Sequence, residues 1–217
     1  QAEPLMRRVL EIDEKSFGPD HPNVARDLNN LAQLLKTTNR LGEAEPLMKR
    51  ALEIDEKSFG PDHPNVAICL NNLAQLLHDT NRLAEAEPLM QRALDIEEKS
   101  FGPDHPNVAI CLNNLAQFFH DTNRLAQAEP LMRRALEIDE KSFGLDHPKV
   151  ATRLNNLAQF LKATNRLTEA EPLMKRALAI FEVSLGPDHP KTCAARENLE
   201  LLEAEIAQSC GKKKLKS

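Results

Sequence analysis

The sequence has neither tryptophan nor tyrosine in its 217 residues, and its only aromatic side chains besides histidine are eight phenylalanines. Aromatic cages for cationic ligands and stacking platforms for bases therefore have only phenylalanine to draw on. No apolar run approaches the ~20 residues of a membrane span, and the first residues do not read as a secretory leader. There are seven glycines and none builds a phosphate-cradling loop; a nucleophile elbow and a Cys-x-x-Cys pair are also missing. Formal charge is -5 with both signs mixed along the chain, which leaves no basic stripe for nucleic acid. The one basic run, Lys212 to Lys216, reads first as a solvated terminus, with a nucleic-acid contact as the weaker alternative. Of the four cysteines, Cys69 and Cys111 stand one repeat apart, about 10 Å in stacked helices. A disulfide needs its Cα atoms within about 7 Å, so these are expected as free thiols in a reducing cytoplasm.

What the chain has is a period. Asp-His-Pro returns every 42 residues, at His21, His63, His105, His147 and His189. Leu28-Asn29-Asn30-Leu31-Ala32-Gln33 returns as Leu70 to Gln75, Leu112 to Gln117 and Leu154 to Gln159. Self-similarity at such a spacing marks a stack of repeats, each touching only its neighbours, which offers a long face in place of a catalytic pocket. Gln1 to Pro4 matches the middle of a repeat, at Gln127 to Pro130, so the chain is expected to come from a longer protein.

Within one unit, His63 is disfavoured in helical backbone by the proline after it and becomes an N-cap, with Pro64 at the first helical position. Leu70, Leu73, Ala74 and Leu77 then form one apolar stripe, with Asn71, Asn72 and Gln75 on another face. Asn81 suits the left-handed conformation that ends this helix. A second helix begins near Leu83 and buries Ala86, Leu89, Met90, Ala93, Leu94 and Ile96. Pro88 is tolerated as lying near its start, and Glu97-Glu98-Lys99 is expected to be solvated. Phe101 folds back onto the stack, and Gly102-Pro103 stops the helix.

The reading is all-α: one array over 1–208, with a lone helix at 1–15 and helix pairs at about 22–57, 64–99, 106–141 and 148–183. A capping helix covers about 190–208, where Arg196 replaces a core leucine, and a basic tail at 209–217 is expected to be disordered.

The unit resembles the tetratricopeptide repeat, in the 42-residue form of kinesin light chains and nephrocystin-3-like proteins. Leu70, Leu73, Ala74 and Leu77 match its first helix; Ala86, Met90 and Ala93 match its second, a better fit than the HEAT type. That resemblance implies a right-handed superhelical solenoid of antiparallel helix pairs whose first helices line a concave face that holds a peptide. It implies a non-catalytic protein-interaction scaffold for an extended or partly helical segment, without cofactor, nucleic acid or membrane, in the cytoplasm.

Carried over, the groove positions are Asn29, Asn30 and Gln33; Asn71, Asn72 and Gln75; Asn113, Asn114 and Gln117; and Asn155, Asn156 and Gln159. Beside them Lys36, His78 with Asp79, His120 with Asp121, and Lys162 vary the charge. Asparagine is a poor helix former, costing roughly half a kcal/mol against alanine, so two adjacent ones per helix need a reason. A ladder of amides pairs with any peptide backbone, since each both donates and accepts. The competing reading is that the asparagines bond neighbouring helices and hold the stack in register. A metal-dependent enzyme using His78, Asp79, His120 and Asp121 has too few ligands per site, and the Asp-His pairs of the linkers fit capping. Self-assembly through the uncovered helix 1–15, giving weak end-to-end oligomers of a chain otherwise monomeric, is the structural alternative.

Overall fold

The prolines of the five Asp-His-Pro triplets each open a helix. The computed structural model describes residues 2–214, and side chains from 2 to 208. Among the described residues there are ten helices and no strand: α1 Ala2–Phe17, α2 Pro22–Thr37, α3 Leu41–Phe59, α4 Pro64–Asp79, α5 Leu83–Phe101, α6 Pro106–Asp121, α7 Leu125–Phe143, α8 Pro148–Ala163, α9 Leu167–Leu185 and α10 Pro190–Lys214. The side chains of the expected tail, 209–217, lie outside the described residues. The chain divides into two compact units, residues 1–118 and 119–217.

The cap chemistry is as the sequence indicates, and goes further. His63 has extended backbone and its Nδ1 accepts from the Asn65 N–H at 3.1 Å. His21, His105, His147 and His189 do the same for the amide two residues on. An accepting Nδ1 places the ring proton on Nε2. Each of the first four rings is stacked by the phenylalanine of the preceding helix end, as Phe59 on His63 at 4.5 Å and Phe101 on His105 at 4.5 Å. Gly60 makes this return possible with φ 91°, a backbone that side-chain-bearing residues avoid. At the other turn Asn39, Asn81, Asn123 and Asn165 all sit near φ 60°, the left-handed region asparagine tolerates.

In the first unit α2 packs on α3 and α4 on α5, and α3 leans on α4. Val24, Ala25, Leu28, Ala51 and Ile54 form a buried cluster closed by Cys69 of α4. In the second unit α8 packs on α9 and α9 on α10, with Val150, Leu154, Ala177, Ile180 and Phe181 at the centre. The alanines expected at the helix crossings, among them Ala44, Ala51, Ala86, Ala93, Ala170 and Ala177, are wholly buried, because only a methyl group lets the two backbones approach. Each fully buried leucine, such as Leu28 or Leu154, contributes about 1.5–3 kcal/mol.

Three details depart from the sequence reading. Leu89 is only half-buried. Pro88 is the sixth residue of α5, beyond the four amides that lack intrahelical partners, so the helix forgoes one internal hydrogen bond there. Glu97, expected in solvent, is 3% exposed. It lies where the next first helix crosses over the end of the second.

Arginines bolt the repeats together. Arg82, just before α5, bonds Glu85 of its own helix at 2.6 Å and reaches Glu45 of α3 at 2.7 Å. Arg40 joins Glu43 to Glu3, and Arg166 joins Glu169 to Glu129, in the same way.

Candidate functional site

A helix turns about 100° per residue, so Asn65, Ile68, Asn72, Gln75 and Asp79 share the side of α4 turned away from the buried Leu70, Leu73 and Leu77. They form the partly or fully exposed stripe of that helix. On α2 the matching residues are Asn23, Arg26, Asn30, Gln33 and Thr37; on the part of α6 in the first unit they are Asn107, Ile110, Asn114 and Gln117. α2 touches α4 directly, so these stripes make one surface within the first unit. It carries mainly neutral amides and two aliphatic side chains one repeat apart, together with Arg26, Thr37 and Asp79. Ile68 is 51% and Ile110 47% exposed.

The expected amides divide into two groups. Asn72 Nδ2 donates to Asn29 Oδ1 at 3.0 Å, linking α4 to α2. Asn71 is buried and its Nδ2 donates to the Cys111 sulfur at 3.0 Å, while its Oδ1 has no partner. In the second unit the Asn155 Oδ1 is likewise buried without a partner. Asn71 thus turns towards the neighbouring helix α6. Asn30, Gln33, Gln75, Asn114 and Gln159 make no side-chain hydrogen bond among the described residues and face outward. Asn113, Gln117 and Asn156 have interactions of their own within the protein.

The charged candidates neutralise one another. Lys36 pairs with Asp79 of the next first helix at 3.0 Å. Lys162 pairs with Glu205 of α10 at 2.8 Å. His78 lies edge-on to Phe118 at 5.6 Å, and His120 to Phe160 at 5.8 Å with its Nδ1 3.1 Å from Asp121. No group of three or more metal-ligating side chains occurs among the described residues.

The sequence reading missed a buried carboxylate that recurs near the ends of the second helices. Asp55, Glu97 and Asp139 occupy one position near the end of successive second helices, and all three are buried. The facing residue on the next first helix is a cysteine twice, Cys69 and Cys111, and then an arginine, Arg153. Arg153 Nε donates to Asp139 Oδ2 at 2.8 Å. Among the described residues Asp55 has only the Cys69 thiol, at 3.4 Å, and burial pushes its carboxyl above the usual aspartate range against that weak hydrogen bond. Burial likewise raises Glu97, opposed by a hydrogen bond from Asn107, and raises Asp27, opposed by Arg26. Burial pushes the Cys111 thiol up to about 11 and raises Cys69 further still. Cys69 and Cys111 are free, as expected, and so is Cys193. Beside Asp55 a cleft of about 360 Å³ opens between α2 and α4, with Asn29, Arg26, Ile68 and Phe59 among its walls. The signal available in the sequence was the acidic residue recurring 14 positions before a variable one.

Among the described residues no helix is long and apolar enough to cross a membrane. A family model described as the tetratricopeptide repeat matches residues 1–57, 39–99, 80–141, 114–182 and 149–209. A comparison with curated proteins finds none that matches. Among solved structures the chain is similar to a candidate kinesin light chain of Podosopora anserina with nearly identical TPR-like repeats, at 22% identity and a TM-score of 0.74, over 90% of this chain and 92% of that one. It is also similar to BtubC (BKLC) from P. vanneervenii, at 19% identity and a TM-score of 0.71, over 94% and 91%. These likenesses are of fold.

Proposed function

The chain belongs to the tetratricopeptide repeat family, whose repeats generally serve as protein-interaction scaffolds, and from that premise we propose that it holds an extended or partly helical segment of another protein against its first helices. The observation that carries the reading is the exposed stripe of the first unit, where Ile68 and Ile110 stand in a field of outward amides. Aliphatic side chains give up water on contact, worth about 25 cal/mol per Å² buried. Asn30, Gln33, Gln75 and Asn114 supply donors and acceptors to backbone or side chain alike. The ladder is thinner than the sequence suggests: Asn29 and Asn72 bond each other, and Asn71 serves the stack. Lys36, paired with Asp79, and His78 add polar edges to the face in the first unit, and His120, Asp121 and Lys162 hold the equivalent helix positions in the second unit. The chemistry is association, with no bond made or broken.

Panning a random-peptide library on the intact chain and measuring affinities of recovered peptides tests this. Ile68→Asp with Ile110→Asp should weaken recovered peptides at least about tenfold, the scale of a lost apolar anchor. Undiminished binding, with the helical spectrum intact, would discard the reading.

One observation favours a second reading. α1 exposes Leu5, Val9 and Ile12 along one side, whereas the counterparts of Val9, Ala51 and Ala93, are wholly buried by a first helix. A second copy covering this side would give end-to-end association. Light scattering over a concentration series shows mass growth in that case and a constant mass otherwise.

A further inference from the structure

The carboxylate row carries an internal comparison. In the second unit Asp139, 1% exposed, is answered by the guanidinium of Arg153, itself nearly buried. A buried carboxylate is costly unless a charged partner satisfies it, and the protein supplies one there. In the first unit the equivalent carboxylate, Asp55, is 6% exposed, and its hydrogen bond from the Cys69 thiol is its only one among the described residues. A thiol is a weak donor. Cys69 is also several atoms shorter than arginine, and the room it leaves continues into the cleft of about 360 Å³ that Asp55 lines.

We propose that this cleft receives the guanidinium of an arginine side chain from the protein segment held on the first-helix face, so that Asp55 acquires from the partner what Asp139 has from Arg153. The inference rests on the reading of that face given above. Ile68 and Phe59 wall the cleft and suit the aliphatic stem, and Asn23 and Asn65 at the helix starts offer acceptors for the outer N–H groups. The planar fork of arginine matches a carboxylate bidentately, which an ammonium does not.

The charges around Asp55 are accounted for. Arg26 stands on the α2 wall, but its guanidinium is engaged by Asp27 at 3.2 Å and Asp13 at 3.7 Å. His63, the nearest imidazole, spends its Nδ1 on the Asn65 amide. On α4 Cys69 is the facing group. Asp55 is left as the uncompensated acid of the cleft.

The test is a titration of the isotope-labelled full chain with N-acetyl-arginine amide, followed by amide shifts in two-dimensional NMR, with the lysine and citrulline analogues as controls. The arginine analogue should shift resonances around Asn29, Asp55 and Ile68 saturably, with a Kd on the order of 1 mM; lysine should bind more weakly and citrulline not at all. Asp55→Asn should remove the response. Cys69→Arg should remove it as well, by installing the internal guanidinium that Arg153 provides in the other unit. Absent shifts, or shifts unchanged in Asp55→Asn, overturn the inference. Library peptides captured without arginine preference and insensitive to Asp55→Asn overturn it too and leave the face reading standing. Binding of the arginine analogue at Asp55 with no peptide captured at all supports the cleft and overturns the face reading instead.

Discussion

Arg153 Nε lies 2.8 Å from Asp139 Oδ2, with the carboxylate 1% and the arginine side chain 13% exposed. The pair ties the end of α7 to α8 inside the second unit. Arg153→Ala leaves the carboxylate buried alone, which should cost about 3–5 kcal/mol, the scale for breaking such a pair. Replacing both members, Arg153→Met with Asp139→Leu, should recover most of that loss, since no charge is then stranded. Urea denaturation of the two variants and the parent makes the comparison. Equal losses in both variants would mean the ion pair contributes little beyond packing.

The three raised carboxyls set a pH dependence. Asp27, Asp55 and Glu97 hold protons more tightly folded than unfolded, because burial disfavours their charge. The folded state therefore binds more protons at these sites, and their contribution to stability grows as pH falls through their raised values towards the unfolded ones near 4. The lowered carboxyls of the arginine bolts, Glu3, Glu43, Glu45, Glu85, Glu129 and Glu169, work the other way and lose their contribution as pH falls through their depressed values. Asp55→Asn with Glu97→Gln removes two of the first group, leaving Asp27, and none of the second. Its Tm should exceed the parent's at pH 7, and the advantage should shrink on acidification towards pH 4. A difference that is constant with pH would indicate an effect of packing instead of charge.

The turn between the helices of a pair is set by backbone conformation. Asn81 adopts φ 60°, which costs a side-chain-bearing residue roughly 1–2 kcal/mol. Asparagine bears that better than most, and glycine bears it best. Asn81→Val should lower stability by about that amount, and Asn81→Gly should be neutral or slightly better. His63→Ala removes both the N-cap to Asn65 and the ring under Phe59, and should cost about 1 kcal/mol or somewhat more. Thermal melts of the three variants check the ranking.

What was legible in the sequence is what a single helix decides for itself. Asp-His-Pro announces a cap, Asn-Arg-Leu a left-handed turn, and the leucine spacing a buried stripe. Each depends on residues within a few positions of one another. The buried acids were not legible, because Glu-Ile-Asp-Glu-Lys at a helix end looks solvated. Asp55 and Glu97 are covered only when the following first helix crosses them. The arginine bolts escaped for the same reason, since Arg82 and Glu45 are 37 residues apart. At the candidate face, adjacent asparagines look alike in sequence. The 100° between them puts Asn71 under α6 and leaves Asn72 at the surface.

That division separates stability from binding. Asn29→Ala leaves the Asn72 amide without its acceptor at a half-buried place, and should cost about 1 kcal/mol. Asn71→Ala loses a bond to sulfur but also removes the buried, unpartnered Oδ1, so its net cost should be under about 1 kcal/mol. Gln75 makes no side-chain hydrogen bond among the described residues, and alanine is the better helix former, so Gln75→Ala should leave stability unchanged or raise it by a few tenths of a kcal/mol. Peptide affinity should reverse the order: Gln75→Ala weakens capture, while Asn71→Ala leaves it unchanged. Melting curves and fluorescence polarisation with one library-selected peptide, run on the same three proteins, measure both orders. If affinity simply follows stability across the set, the asparagine–glutamine pattern serves the stack alone.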